Sequence, residues 1–146
     1  MSIKKWMIVK AKKSHLKEIL TIEAKLEIAS WSKKSIINEI ENDCSYNLVS
    51  VHSNKVSGYM FGWMIANEYH LNKIVVSKNF RRKGIAKNMI EMVSNFPNLK
   101  RIYLEVSERN KIAKNLYEGF GFTKQGHRSN YYSDGANAKM YKLEIK

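Results

Sequence analysis

The chain has 146 residues, 44% of them hydrophobic and 11% aromatic, with a formal charge of +13. These proportions suit one globular domain over residues 1–146 and exclude a disordered chain; no apolar run nears the roughly 20 residues that cross a bilayer, and Met1-Ser2-Ile3-Lys4-Lys5-Trp6 lacks the apolar core of a signal peptide. A single cysteine, Cys44, excludes an internal disulfide and points to a reducing compartment, the cytoplasm, while the positive charge favours acidic partners such as phosphates, RNA or acidic protein surfaces, or serves solubility alone.

Residues 4–11 read as a first strand. Ser14 is expected to cap a helix whose apolar positions Leu16, Ile19, Leu20 and Ile22 to Ala24 recur at helical spacing. Ser32 is placed to cap a second helix bearing Ile36, Ile37 and Ile40, with Trp31 ahead of it as a hydrophobic staple. Strands over 46–52 and 56–66 flank Ser53-Asn54, a pair that favours a tight hairpin. A fourth strand, 70–76, ends in the run Ile74-Val75-Val76. Beyond it, Ile85, Met89, Ile90, Val93 and Phe96 form a helical stripe closed by Pro97. Residues 101–106 make a strand and 111–118 a helix, ended by Gly119 and Gly121; two strands follow near 123–131 and 137–145. No internal repeat or low-complexity segment interrupts this order.

The fourth and fifth strands are joined through a helix, so a right-handed crossover should make them parallel neighbours. Ligands of open α/β sheets lie at the carboxyl ends of such strands. There the chain places Arg81-Arg82-Lys83-Gly84-Ile85-Ala86, a basic turn that opens into a helix. Its backbone N–H groups and the positive end of the helix dipole converge on one spot, where a pyrophosphate binds. Glu105, in the middle strand Leu104-Glu105-Val106, either reaches solvent or a lysine at the strand end, or is a general base raised toward neutrality by burial at the crevice floor. Tyr117 continues the stripe Ile112, Ala113, Leu116; it is either a core aromatic or a proton donor beside the ligand.

From Leu71 to Met140 the chain resembles the GCN5-related N-acetyltransferase (GNAT) superfamily, and within it the ribosomal-protein alanine N-acetyltransferases and the archaeal N-terminal acetyltransferases. Arg81-Arg82-Lys83-Gly84-Ile85-Ala86 is similar to the Q/R-x-x-G-x-G/A loop that wraps the pyrophosphate of coenzyme A. Leu104-Glu105-Val106, Asn110 and Leu116-Tyr117-Glu118-Gly119-Phe120-Gly121-Phe122 resemble the block LEV…N…LYE-x-x-GF, and Arg128-Ser129-Asn130-Tyr131-Tyr132 the segment R-x-x-YY. Departures are Ser77-Lys78-Asn79-Phe80 in place of D-P-x-Y, Ala86 for the last glycine, Asn137 for an aspartate, and no proline before Trp31.

The resemblance implies an α/β fold (α+β by some schemes): a mixed, mostly antiparallel seven-stranded sheet with parallel central strands 4 and 5, flanked by four helices. It implies acetyl-CoA as cofactor and coenzyme A as product, held by Ile74, Val75, Val76, Arg81, Arg82, Lys83, Gly84, Ile85, Ala86, Asn110 and Tyr117. Asn110 reads equally as a helix N-cap. Glu105 becomes the base and Tyr117 the acid, with direct transfer to an amine and no covalent enzyme intermediate. Trp31, Tyr69, Tyr131 and Tyr132 are expected to line the acceptor side. The favoured acceptor is the α-amino group of a protein N-terminus, possible on a ribosomal protein; a small-molecule amine or a protein lysine is the alternative, and a basic RNA-binding module the distant one. His15, His52, His70 and His127 show no metal-ligand spacing, so no metal is expected, nor any membrane partner.

Overall fold

The computed structural model describes residues 6–26 and 30–146. Along the chain lie β1 (Met7–Lys10), α1 (Leu16–Glu23), α2 (Lys33–Glu41), β2 (Leu48–His52), β3 (Lys55–Ile65), β4 (Glu68–Val76), α3 (Ile85–Ser94), β5 (Arg101–Ser107), α4 (Lys111–Phe120), β6 (Thr123–Arg128) and β7 (Ala138–Glu144). The strands form one sheet in the order β1-β2-β3-β4-β5-β7-β6. Every neighbouring pair is antiparallel except β4 and β5, which run parallel as expected.

Turn chemistry sets the first half of the sheet. Ser53 and Asn54 both take left-handed conformations (φ 50° and 66°), as do Ala66 and Asn67 (φ 52° and 65°), so both hairpins close with the twist their strands need. Side-chain alternation then buries both faces. Ile102, Leu104 and Val106 of β5 pack with Met89, Ile90 and Val93 of α3 and with Tyr117 of α4. Val49, Tyr59 and Phe61 pack on the other face with Ile19 of α1 and Ile36 of α2.

Several boundaries differ from expectation. Ser14 does not cap α1: Lys13–His15 form a 3-10 turn, closed where the Lys12 N–H donates to His15 Nδ1 (3.0 Å), and the helix starts after it. Ser32 does cap α2, its Oγ accepting from the Ser35 N–H at 3.1 Å. Gly119 lies inside α4, and only Gly121 (φ 115°) ends it. β1 begins at Met7; Lys4 and Lys5 of the expected strand lie outside the described residues. β2 begins at Leu48, because the Asn47 side chain is spent on the Gly62 N–H and the Glu39 carbonyl. β6 stops at Arg128, and residues 129–137 form a connecting loop instead of more strand.

The feature that positions the site is a divergence. β4 and β5 pair only from Glu68–Leu71 against Arg101–Leu104. Beyond that, β4 stays with β3 as far as Gly58 opposite Val76, while β5 stays with β7 as far as Ser107 opposite Ala138. The register of β3 on β4 shifts between Phe61 and Gly62, leaving Asn72 as an extra residue on β4. Such a bulge bends its strand. A gap therefore opens between the carboxyl ends of the two parallel strands.

Candidate active site

One wall of the gap is the end of β4. The Ser77 N–H is spent on the Ser57 carbonyl at 2.8 Å, so by the two-residue period of a strand the N–H groups of Val76 and Ile74 point the other way, into the gap. The basic turn closes its mouth. Arg81 Nε donates to the Val76 carbonyl (3.1 Å), Arg82 takes a left-handed conformation (φ 64°), and Gly84 (φ 90°) turns the chain into α3. At the start of α3 the N–H groups of Ile85, Ala86 and Lys87 have no acceptor within the helix. Arg81, Arg82 and Lys83 surround them, all exposed. Donors, dipole and cations converge as a diphosphate requires.

The other wall carries Glu105. It alternates with Leu104 and Val106 and so faces away from α3 and α4. The expected burial is not found: the Glu105 side chain is 27% exposed and Arg128 Nε stands 3.4 Å from its Oε1. The loop after β6 brings Tyr131 and Tyr132 over it, edge to face with each other at 5.1 Å. The Glu105 charge, then burial and a hydrogen bond with Glu105, hold the Tyr131 phenol above the usual range, with Arg128 opposing them. Burial, helped by Glu105, pushes Tyr132 up to about 12. Tyr117 approaches from the opposite face, only 4% exposed and edge-on to Phe122 at 5.6 Å. Burial, with Tyr132 adding to it, raises its phenol too.

The family model for an acetyltransferase (GNAT) domain matches residues 14–145. This chain belongs to the GNAT acetyltransferase family. It is 26% identical over 117 residues to the ribosomal protein bS18-alanine N-acetyltransferase of Haemophilus ducreyi, a match spanning 78% of this chain and 80% of the relative. It is 34% identical over 108 residues to an N-alpha-acetyltransferase of Saccharolobus solfataricus, spanning 63% and 65%. The fold of the ribosomal-protein-S18-alanine N-acetyltransferase from Escherichia coli superposes with a TM-score of 0.87 at 24% identity, covering 97% of this chain and 94% of that one. As a GNAT acetyltransferase the protein is an acetyl-CoA-dependent acyltransferase, and the gap with its basic turn fits that ligand.

The structure brings Glu105, Tyr117, Tyr131 and Tyr132 of this acetyltransferase together, and Ile74, Val76 and residues 81–86 along one rim. Val75 pairs toward β3 opposite Tyr59 and packs with the core on the α1 face. Asn110 caps α4, its Oδ1 accepting from the Ala113 N–H at 3.1 Å. Trp31 stands on the α1–α2 face of the sheet, stacked on Phe61 at 5.9 Å. Tyr69 is a correction: it is fully buried on the opposite face among residues of α3, with its hydroxyl donating to the Tyr46 carbonyl at 2.8 Å, and cannot meet an acceptor. Sequence reasoning passed over Arg128 as a site residue, although the spacing Arg128-Ser129-Asn130-Tyr131-Tyr132 already tied it to the tyrosines. Asn137 holds that loop in place, accepting from the Asn130 N–H (2.9 Å) and donating to Glu108 (3.2 Å). Among the described residues no cluster of three or more His, Cys, Asp or Glu side chains could hold a metal ion, and no helix is long and apolar enough to cross a membrane.

Proposed function

We propose that this acetyltransferase modifies the α-amino group of a protein or peptide N-terminus. The observation that carries the reading is the cluster at the gap: a partly exposed Glu105 faced by Tyr131, Tyr132 and Arg128, with Tyr117 behind it. An α-amino group titrates at about 7.7–8.0 and a lysine near 10.4, so a neutral N-terminal amine needs only a solvated carboxylate, acting directly or through one water. In this reading Glu105 takes the amine proton. The Ile74 and Val76 N–H groups stabilise negative charge that develops on the thioester oxygen. Tyr117 donates to the departing sulfur; its raised pKa keeps the phenol protonated, and the same burial destabilises a thiolate and so favours the transfer.

The acceptor would lie between Trp31 and the Tyr131–Tyr132 segment. Support for its class comes from the relatives, which are named for N-terminal or alanine N-acetylation. The net charge of +13 would repel a cationic polyamine. The test is incubation with acetyl-CoA and a panel of peptides varied at their first two positions, following free thiol release. Turnover of at least one free N-terminus, abolished by prior blocking of that amine, is expected. Turnover confined to small amines or lysine side chains would overturn the reading.

A further inference from the structure

Glu23 is the last residue of α1, and it is 2% exposed, whereas the other carboxylates among the described residues lie at or near the surface. Its Oε2 accepts from the Trp31 N–H at 2.7 Å and from Lys73 Nζ at 3.1 Å. Its Oε1 accepts from the Tyr59 hydroxyl at 2.7 Å and lies 2.8 Å from Lys73 Nζ. The Lys73 ammonium also stands over the Trp31 indole, 4.9 Å from the ring centroid, and the Ser30 hydroxyl donates to the Glu23 carbonyl at 3.3 Å. Lys73 immediately precedes Ile74-Val75-Val76, and Tyr59 sits opposite Val75 in the β3–β4 register. Glu23 thus holds Ser30 through its backbone carbonyl and, through its carboxylate, ties Trp31 to the stretch of strand whose free amides line the gap.

A buried ion pair is a poor device for stability alone, since apolar side chains of equal volume serve as well or better. It does fix relative position. We infer that the Glu23–Lys73 pair positions the acceptor wall: it clamps Trp31 to the end of β4, so that the incoming amine and the acyl group are located from the same strand. The inference rests on the N-terminal acceptor reading and deepens it. Glu23 and Lys73 are positioning residues here; neither touches the reacting atoms.

The test compares the wild type with Lys73→Met and with Glu23→Leu/Lys73→Met, the second of which removes both charges at similar volume and guards against simple unfolding. Amide hydrogen exchange at Trp31 reads the clamp, and steady-state kinetics with a peptide that the wild type acetylates read its consequence. In the double variant the Trp31 amide should exchange faster. The peptide KM should rise about tenfold or more, because displacing a substrate-positioning group by about an ångström costs up to ~100-fold. The KM for acetyl-CoA should stay within about twofold of wild type, since the basic turn and the amides of β4 are untouched. Faster Trp31 exchange with an unchanged peptide KM, or equal losses in both KM values, would overturn the inference and leave the N-terminal reading intact. If the wild type acetylates no peptide, that reading fails and takes this inference with it.

Discussion

Glu105 and Tyr117 meet the gap from opposite faces of β5, and in the proposed reaction their environments suit them to different work. Glu105 keeps contact with water and with Arg128, whereas Tyr117 is enclosed and its phenol stays protonated well past neutrality. Replacing Glu105 by Gln should lower kcat about 100-fold near pH 7, and the deficit should shrink toward pH 9, where an α-amine is already neutral. Thiol-release kinetics across that range check it; a deficit independent of pH would exclude Glu105 as the base. Tyr117→Phe should lower kcat about 10- to 100-fold with little change in the KM for acetyl-CoA, since it removes a proton without opening the core. Full activity in both variants would remove the catalytic assignment and leave the basic turn as it is.

At the scale of elements, the bulge at Asn72 decides which side chains see the reaction. Before it, Tyr69 and Leu71 face α3; after it, Lys73 and Val75 face α1 and α2. Simple alternation would put Tyr69 and Lys73 on one face; the bulge separates them and leaves Tyr69 in the core on the α3 side. Gly62 is the complement of this shift: a Cβ there would run into the Tyr69 ring, whose hydroxyl is itself held by the Tyr46 carbonyl. Gly62→Ala should cost about 1–3 kcal/mol through overpacking, read as a lower Tm and a lower denaturation midpoint. What the sequence displayed was local. The Ser53-Asn54 hairpin, the Ile85–Val93 stripe and the glycine after three cations depend on neighbours a few residues apart, and each reads directly from the chain. The gap itself depends on where the β4–β5 pairing ends, and the Glu23–Lys73 pair joins residues 50 positions apart. No short-range pattern carries either. Ser14 failed as a cap for a local reason instead: the Lys12 N–H donates to the His15 ring and a 3-10 turn precedes α1.

Across the whole molecule, tyrosines dominate the response to alkali. Tyr59, Tyr69 and Tyr117 are all buried, and burial is the first cause of the raised pKa of each. A group raised in the folded state contributes stability that is fully present below its unfolded pKa of about 10 and is lost as pH climbs above it. Lys73 acts in the opposite sense. Burial lowers its pKa, so the penalty on its charge is relieved as pH rises toward about 10.5, which offsets only part of the loss. Tm should therefore hold nearly level from about pH 7 to 9.5 and drop between about pH 10 and 11.5; a Tm that rises through pH 11 would contradict this. The +13 charge has a separate origin, since the basic turn supplies only Arg81, Arg82 and Lys83 of the chain's 26 lysines and arginines. One further consequence follows from the gap. It divides the sheet into two panels, β1–β4 and β5–β7, hydrogen-bonded to each other over four residue pairs. An extended ligand with amides of its own can lie along the free edge of β4 as an extra strand would. Seated there as proposed, acetyl-CoA would be a strut as well as a reagent, bracing one panel against the other for as long as it stayed.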